Sequence, residues 1–206
     1  MSDHNSILRL QSHENRTPTG RASATATRQL VNYLGYGRGR SAHQALRRQR
    51  GVWLDQDGKE VTHEQVLAWV QAQGKEQRFT HQLILSVNEA RLSPEAYNQA
   101  LTAGEPFFPT WRLIGHADTP YSHAHVIAFG QEEIRVKSPD FRAWQLAVRQ
   151  ELEAQQQTYL ERQAALELES GLEAELLPAA AVEQSRQQDY RLEQEEALAL
   201  DLDLEI

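Results

Sequence analysis

The chain contains no cysteine and a single methionine in 206 residues. Without thiols it forms no disulfide and no closed Cys/His zinc finger, so any metal must be held by nitrogen and oxygen donors. The same lack fits a reducing compartment. No apolar run approaches the roughly 20 residues that a membrane-spanning helix needs, and the polar amino-terminal stretch lacks the apolar core of a signal peptide. These absences lead us to expect a cytoplasmic protein with no membrane partner. The length suffices for one domain with tails.

Charge is unevenly spread. The net charge of −8 comes from the end of the chain: residues 151–206 hold 15 Asp or Glu and 3 Arg, a balance of −12. Residues 1–150 keep 18 basic and 14 acidic side chains, a balance of +4, and the first fifty carry nine Arg against Asp3 and Glu14. Arg38, Arg40, Arg47, Arg48 and Arg50 form a cluster of guanidinium groups, which suit bidentate contacts to phosphate. A basic run alone is a solvated face; its neighbours decide whether it touches nucleic acid.

The most specific chemistry lies in HADTPYSHAH, His116 to His125, which holds three of the eight histidines and an aspartate. It runs into Val126, Ile127, Ala128 and Phe129, the pattern of a buried strand. Residues i and i+2 of a strand share a face, so His123 and His125 can offer imidazole nitrogens to one ion. His116 ends the preceding apolar run, Trp111 to Ile114, and completes a three-histidine site if that run pairs beside the first. A lone HxH is equally a hydrogen-bonded structural feature or a non-catalytic zinc site. The upstream HxD adds Asp118, a carboxylate placed to fix imidazole tautomer and orientation. Three neutral nitrogen donors leave coordination positions open, as catalytic sites do.

HADTPYSHAHV resembles the histidine motif of the HUH endonucleases, in particular the MobA/TraI-like, P-type relaxases of plasmid mobilisation. RQLVNYLGYGRGR resembles their nucleophile motif, which precedes the histidines and here carries Tyr33. FTHQLILSV with LSPEAYNQAL is similar to the strand and helix before the histidine motif, and the matches run in family order from Thr27 to Glu153. The resemblance implies His116, His123 and His125 as ligands of a divalent ion, Mg²⁺ or Mn²⁺, with Tyr33 and Asp118 as catalytic residues. It implies DNA contacts from Arg38, Arg40, Arg47, Arg48 and Arg50, because they flank the nucleophile. The implied activity is site- and strand-specific nicking of single-stranded or supercoiled DNA at a transfer origin, through a 5′-phosphotyrosyl intermediate. Accessory DNA-binding and coupling proteins would be partners. One position departs from the pattern: four residues beyond the last histidine, where these relaxases often carry asparagine, stands Phe129. A rolling-circle or transposition nickase, with its tyrosine after the histidines at Tyr159 or Tyr190, is an alternative. So is a DNA-binding homologue with weakened turnover. Tyr36, expected in a glycine-rich loop, is the alternative nucleophile.

The expected architecture is an α/β (α+β) domain with a mainly antiparallel central sheet and helices packed chiefly on one face. Residues 1–26 are read as a flexible segment, 27–156 as the nuclease-like domain and 157–206 as an acidic helical tail. A short helix over Thr27–Leu34 is terminated at Gly35. Trp53, Leu54 and Val61 flank an Asp57-Gly58 hairpin turn. Thr62 with Gln65 forms a capping box, and Ser93-Pro94 opens a helix through Leu101. Phe79–Val87 is a core strand on which His81 is structural. Ile134–Val136 continue the sheet, and Ser138-Pro139-Asp140 opens a helix burying Phe141, Trp144, Val148 and Leu152. Its polar extension breaks near Gly171 and Pro178.

Overall fold

The computed structural model describes residues 6–17, 19–37, 49–104, 107–117 and 122–176. The chain divides into two compact units, Met1–Leu160 and Glu161–Ile206. The first unit is built on six strands: β1 (Ser6–Glu14), β2 (Trp53–Asp55), β3 (Glu60–Val61), β4 (Phe79–Val87), β5 (Trp111–His116) and β6 (His123–Gly130). Their order across the sheet is β1-β4-β6-β5-β2-β3, and every adjacent pair is antiparallel. Four helices accompany them: α1 (Thr25–Tyr36), α2 (His63–Glu76), α3 (Pro94–Leu101) and α4 (Pro139–Leu176).

β6 explains the layering. Its two residue parities are both apolar, with Ile127 and Phe129 on one face and Ala124, Val126 and Ala128 on the other, so both faces must be covered. Val31 and Leu34 of α1, with Val66 and Val70 of α2, close over Ile127, Phe129, Ile114 and Trp53. On the opposite face Tyr97, Ala100 and Leu101 of α3, with Phe141, Trp144, Val148 and Leu152 of α4, close over Leu83, Leu85, Val126 and Leu113. The helices therefore sit two to each face, which corrects the expectation of helices packed chiefly on one face. Each fully buried side chain of this kind contributes about 1.5–3 kcal/mol.

Local signals set most boundaries. Asp55 and Gly58 close the β2–β3 turn, with the Gly58 amide donating to the Asp55 carbonyl at 3.0 Å and φ at +77°. The α2 capping box forms in both directions: the Gln65 amide donates to Thr62 Oγ1 at 3.2 Å, and the Thr62 amide to Gln65 Oε1 at 2.8 Å. Ser93 caps α3 with Pro94 in its first turn, and Ser138 Oγ accepts from the Phe141 amide at 3.3 Å.

Four expectations change. Ser6–Glu14, placed in a flexible segment, is edge strand β1, paired with β4 from Ser6↔Val87 to Glu14↔Phe79. Leu8 and Leu10 are its inward anchors, and its polar residues are satisfied laterally, as in Ser12 Oγ to His81 Nδ1 at 2.9 Å and His13 Nε2 to Thr27 Oγ1 at 3.1 Å. Helix α1 passes through Gly35 and ends at Gly37, whose φ of +77° suits glycine. Residues 134–136 form no strand; the Ser138 amide donates to the Arg135 carbonyl at 2.8 Å in a turn leading into α4. Finally, the backbone of α4 remains helical through Gly171 to Leu176, so no break falls at Gly171; Pro178 lies outside the described residues.

Candidate metal centre

The pairing of β5 with β6 assembles the histidines. His116 stands opposite His123, and Ile114 opposite His125, so the antiparallel register puts all three imidazoles on the face that α1 and α2 cover. Ring centroids lie 5.2 Å (His116–His123), 5.1 Å (His116–His125) and 5.1 Å (His123–His125) apart. One ligand nitrogen from each lies within 4.8 Å of the others. Two nitrogens bound at ~2.1 Å to one ion can be at most ~4.2 Å apart, so less than about an ångström of side-chain adjustment closes the set. His116 is buried, while His123 and His125 are half-buried. The three could hold a metal ion.

The second contacts of His116 suit that role. Its Nε2 lies 2.9 Å from the Leu34 carbonyl oxygen of α1. A carbonyl can only accept, so Nε2 carries the proton and Nδ1 keeps its lone pair for the cluster. Gly115 makes the strand fit: a Cβ there would stand 2.7 Å from the Pro94 side chain, on the face where α3 packs.

Tyr33 lies on α1 immediately before Leu34 and is 44% exposed, open to a large substrate. Tyr36 is not in a loop; it is the last residue of α1, half-buried, its ring 4.7 Å from that of His63. Tyr159 is half-buried against the α3/α4 core. Arg50 is half-buried beyond α1, its amide donating to the Gly35 carbonyl at 2.8 Å, and with Gln49, Gly51 and Val52 it lines a surface cavity of about 680 Å³. Asp118, Arg38, Arg40, Arg47, Arg48 and Tyr190 lie outside the described residues.

Two residues named from the sequence stand away from the cluster. Phe129 is 3% exposed and meets Trp69 edge-on at 5.0 Å in the α1/α2 core, some ~13 Å along β6 from His125. His81 points to the opposite face of the sheet, pairs with Ser12, and is pushed down to about 4 chiefly by burial, with His13 adding to the effect.

Sequence reasoning missed His63. It opens α2, is 5% exposed, and donates from Nε2 to Asn32 Oδ1 at 2.9 Å. Burial lowers its pKa, opposed by the nearby Glu64 carboxylate. The available signal was Gly35, a glycine inside a helical pattern.

Compared with known proteins, the chain matches no family model, no curated protein and no solved structure. Among the described residues, no helix is long and apolar enough to cross a membrane.

Proposed function

We propose that this chain is a metal-dependent DNA relaxase of the HUH type, nicking one strand at a transfer origin by tyrosine transesterification. The observation that carries the reading is the convergence of His116, His123 and His125 within 4.8 Å. Support comes from Tyr33, exposed on the helix whose next carbonyl orients His116. The order of tyrosine before histidines also favours this reading over a rolling-circle or transposition nickase, since Tyr159 packs against apolar core.

In this mechanism His116, His123 and His125 would hold Mg²⁺ or Mn²⁺, which would supply Lewis acidity toward a phosphate oxygen. The Tyr33 phenol oxygen attacks phosphorus, forming a Tyr–O–P bond as the P–O3′ bond breaks. A free phenol has a pKa near ~10, so its proton must leave as attack proceeds; with a proton delivered to the departing oxygen, a 3′-hydroxyl results. One phosphodiester replaces another, and the 3′-hydroxyl can later reverse the step. Arg50, with the other arginines of the basic segment, neutralises backbone phosphates.

The test is incubation of the purified chain with Mn²⁺ and a single-stranded oligonucleotide library. A denaturant-resistant protein–DNA adduct should map to Tyr33 and vanish in Tyr33→Phe. An adduct on Tyr36 or Tyr159 overturns the nucleophile assignment. DNA binding without any adduct replaces the enzyme with a binding homologue.

A further inference from the structure

His63 is gripped by the last turn of α1. Beyond its hydrogen bond to Asn32 and its edge contact with Tyr36, its Cε1 and Nδ1 lie 2.9 Å from the position a Cβ on Gly35 would take. A Cβ at position 35 would force the His63 ring to shift, which accounts for a helical glycine that costs about 1 kcal/mol relative to alanine. Two more unfavourable terms fall on the same point. Among the described residues, His63 Nδ1 and Trp53 Nε1 are buried with no hydrogen-bond partner, and Trp53 Nε1 lies 3.8 Å from the same Cβ position. Each such group costs about 1–3 kcal/mol. Local costs of this kind cluster where a fold holds something in place for function. His63 touches Asn32, Gly35 and Tyr36; between these stand Tyr33 and Leu34.

We infer that His63 is a positioning residue, clamping the last turn of α1 so that the Leu34 carbonyl stays on His116 and the backbone of Tyr33, one residue earlier, is held with it. The link to Tyr33 rests on the nickase reading; the link to His116 does not. His63→Phe keeps an aromatic ring and removes the donor, Asn32→Ala removes the acceptor, and His63→Gln keeps an amide donor.

Three readouts separate positioning from mere packing. Hydrogen exchange of the Gly37 amide, which donates to the Tyr33 carbonyl at 2.7 Å, should rise about fivefold in His63→Phe and in Asn32→Ala, the loss of one hydrogen bond. Co²⁺ affinity of the DNA-free protein should fall about threefold in both, less than for loss of a direct ligand partner. Adduct formation at saturating DNA should slow while DNA affinity holds. His63→Gln should recover each, and the His63→Phe/Asn32→Ala double variant should be no worse than either single change. Wild-type Gly37 exchange and Co²⁺ affinity in Asn32→Ala overturn the inference, as do losses that add in the double variant. If His63→Phe does not fold, Asn32→Ala alone decides. If the wild-type protein forms no adduct, the nickase reading fails, while exchange and Co²⁺ binding still decide the role of His63.

Discussion

The carbonyl oxygen of Leu34 and Nε2 of His116 lie 2.9 Å apart, so the helix that carries Tyr33 and the strand that carries the first histidine share a hydrogen bond. That bond leaves Nδ1 of His116 as the nitrogen able to bind metal. The helix and the histidine cluster are therefore one mechanical unit.

The first consequence concerns metal content. Wild-type protein purified with Mn²⁺ or Co²⁺ should carry one ion per chain, and the His123→Ala/His125→Ala variant should carry less than about a tenth of that, because one imidazole cannot hold a divalent ion tightly. Elemental analysis and the Co²⁺ spectrum measure this directly. Stoichiometric metal in the double variant would sink the site.

Acid should destabilise the fold in a defined window. His81 is neutral in the folded protein, with its pKa pushed from 6.5 down to about 4 mainly by burial. The unfolded chain therefore binds more protons between these values, and stability falls as pH drops from about 6.5 to about 4. The contribution of His81 is about 3 kcal/mol at most. Burial also lowers His13, which acts in the same direction. Denaturant unfolding at pH 7, 5 and 4 should show this loss, and His81→Phe should flatten the slope. An unchanged slope in that variant would assign the acid sensitivity elsewhere.

Placing at position 129 the asparagine common in the resembled family should harm rather than help. Phe129 fills core against Trp69, so Phe129→Asn loses its packing and buries an amide, at a cost of about 3–5 kcal/mol. Chemical denaturation should register this loss, while Co²⁺ affinity of the folded fraction should stay at the wild-type value. Tighter metal binding in Phe129→Asn would show that the residue belongs to the site after all.

Truncation after Leu160 should leave a folded protein. Phe141, Trp144, Val148, Leu152 and Tyr159, the α4 residues that meet the core, are all retained. Circular dichroism should give a cooperative transition within a few degrees of the full chain. If the chain binds DNA as proposed, loss of acidic residues should hold or raise its nonspecific affinity, and replacing Arg50 by Ala should reduce the salt slope by about one unit. Collapse of the transition would move the domain boundary beyond Leu160.

Legibility followed the strength of local signals. β4 and α3 were readable to their ends because alternation and the Ser93-Pro94 start admit one solution, and His123 and His125 shared a face from period two alone. β1 was not readable, since Ile7, Leu8 and Leu10 followed by polar residues carry no strong period; its ladder to β4 and the lateral bonds of Ser12 and His13 supply what the pattern lacks. The end of α1 was misplaced because glycine was read as a stop, whereas position 35 is glycine to admit the His63 ring. Covering both faces was implicit in the unbroken apolar run of β6, which one covered face would have left half in water.

The Leu34–His116 bond joins residues 82 apart in sequence, whereas the three histidines span ten. The ligands can therefore gather as soon as the β5–β6 hairpin closes, a cheap local event, while their orientation waits for α1 to dock. Affinity for a metal at this cluster would thus be a gauge of tertiary assembly: weak binding would report a hairpin alone, and tight binding a chain whose first helix has come home.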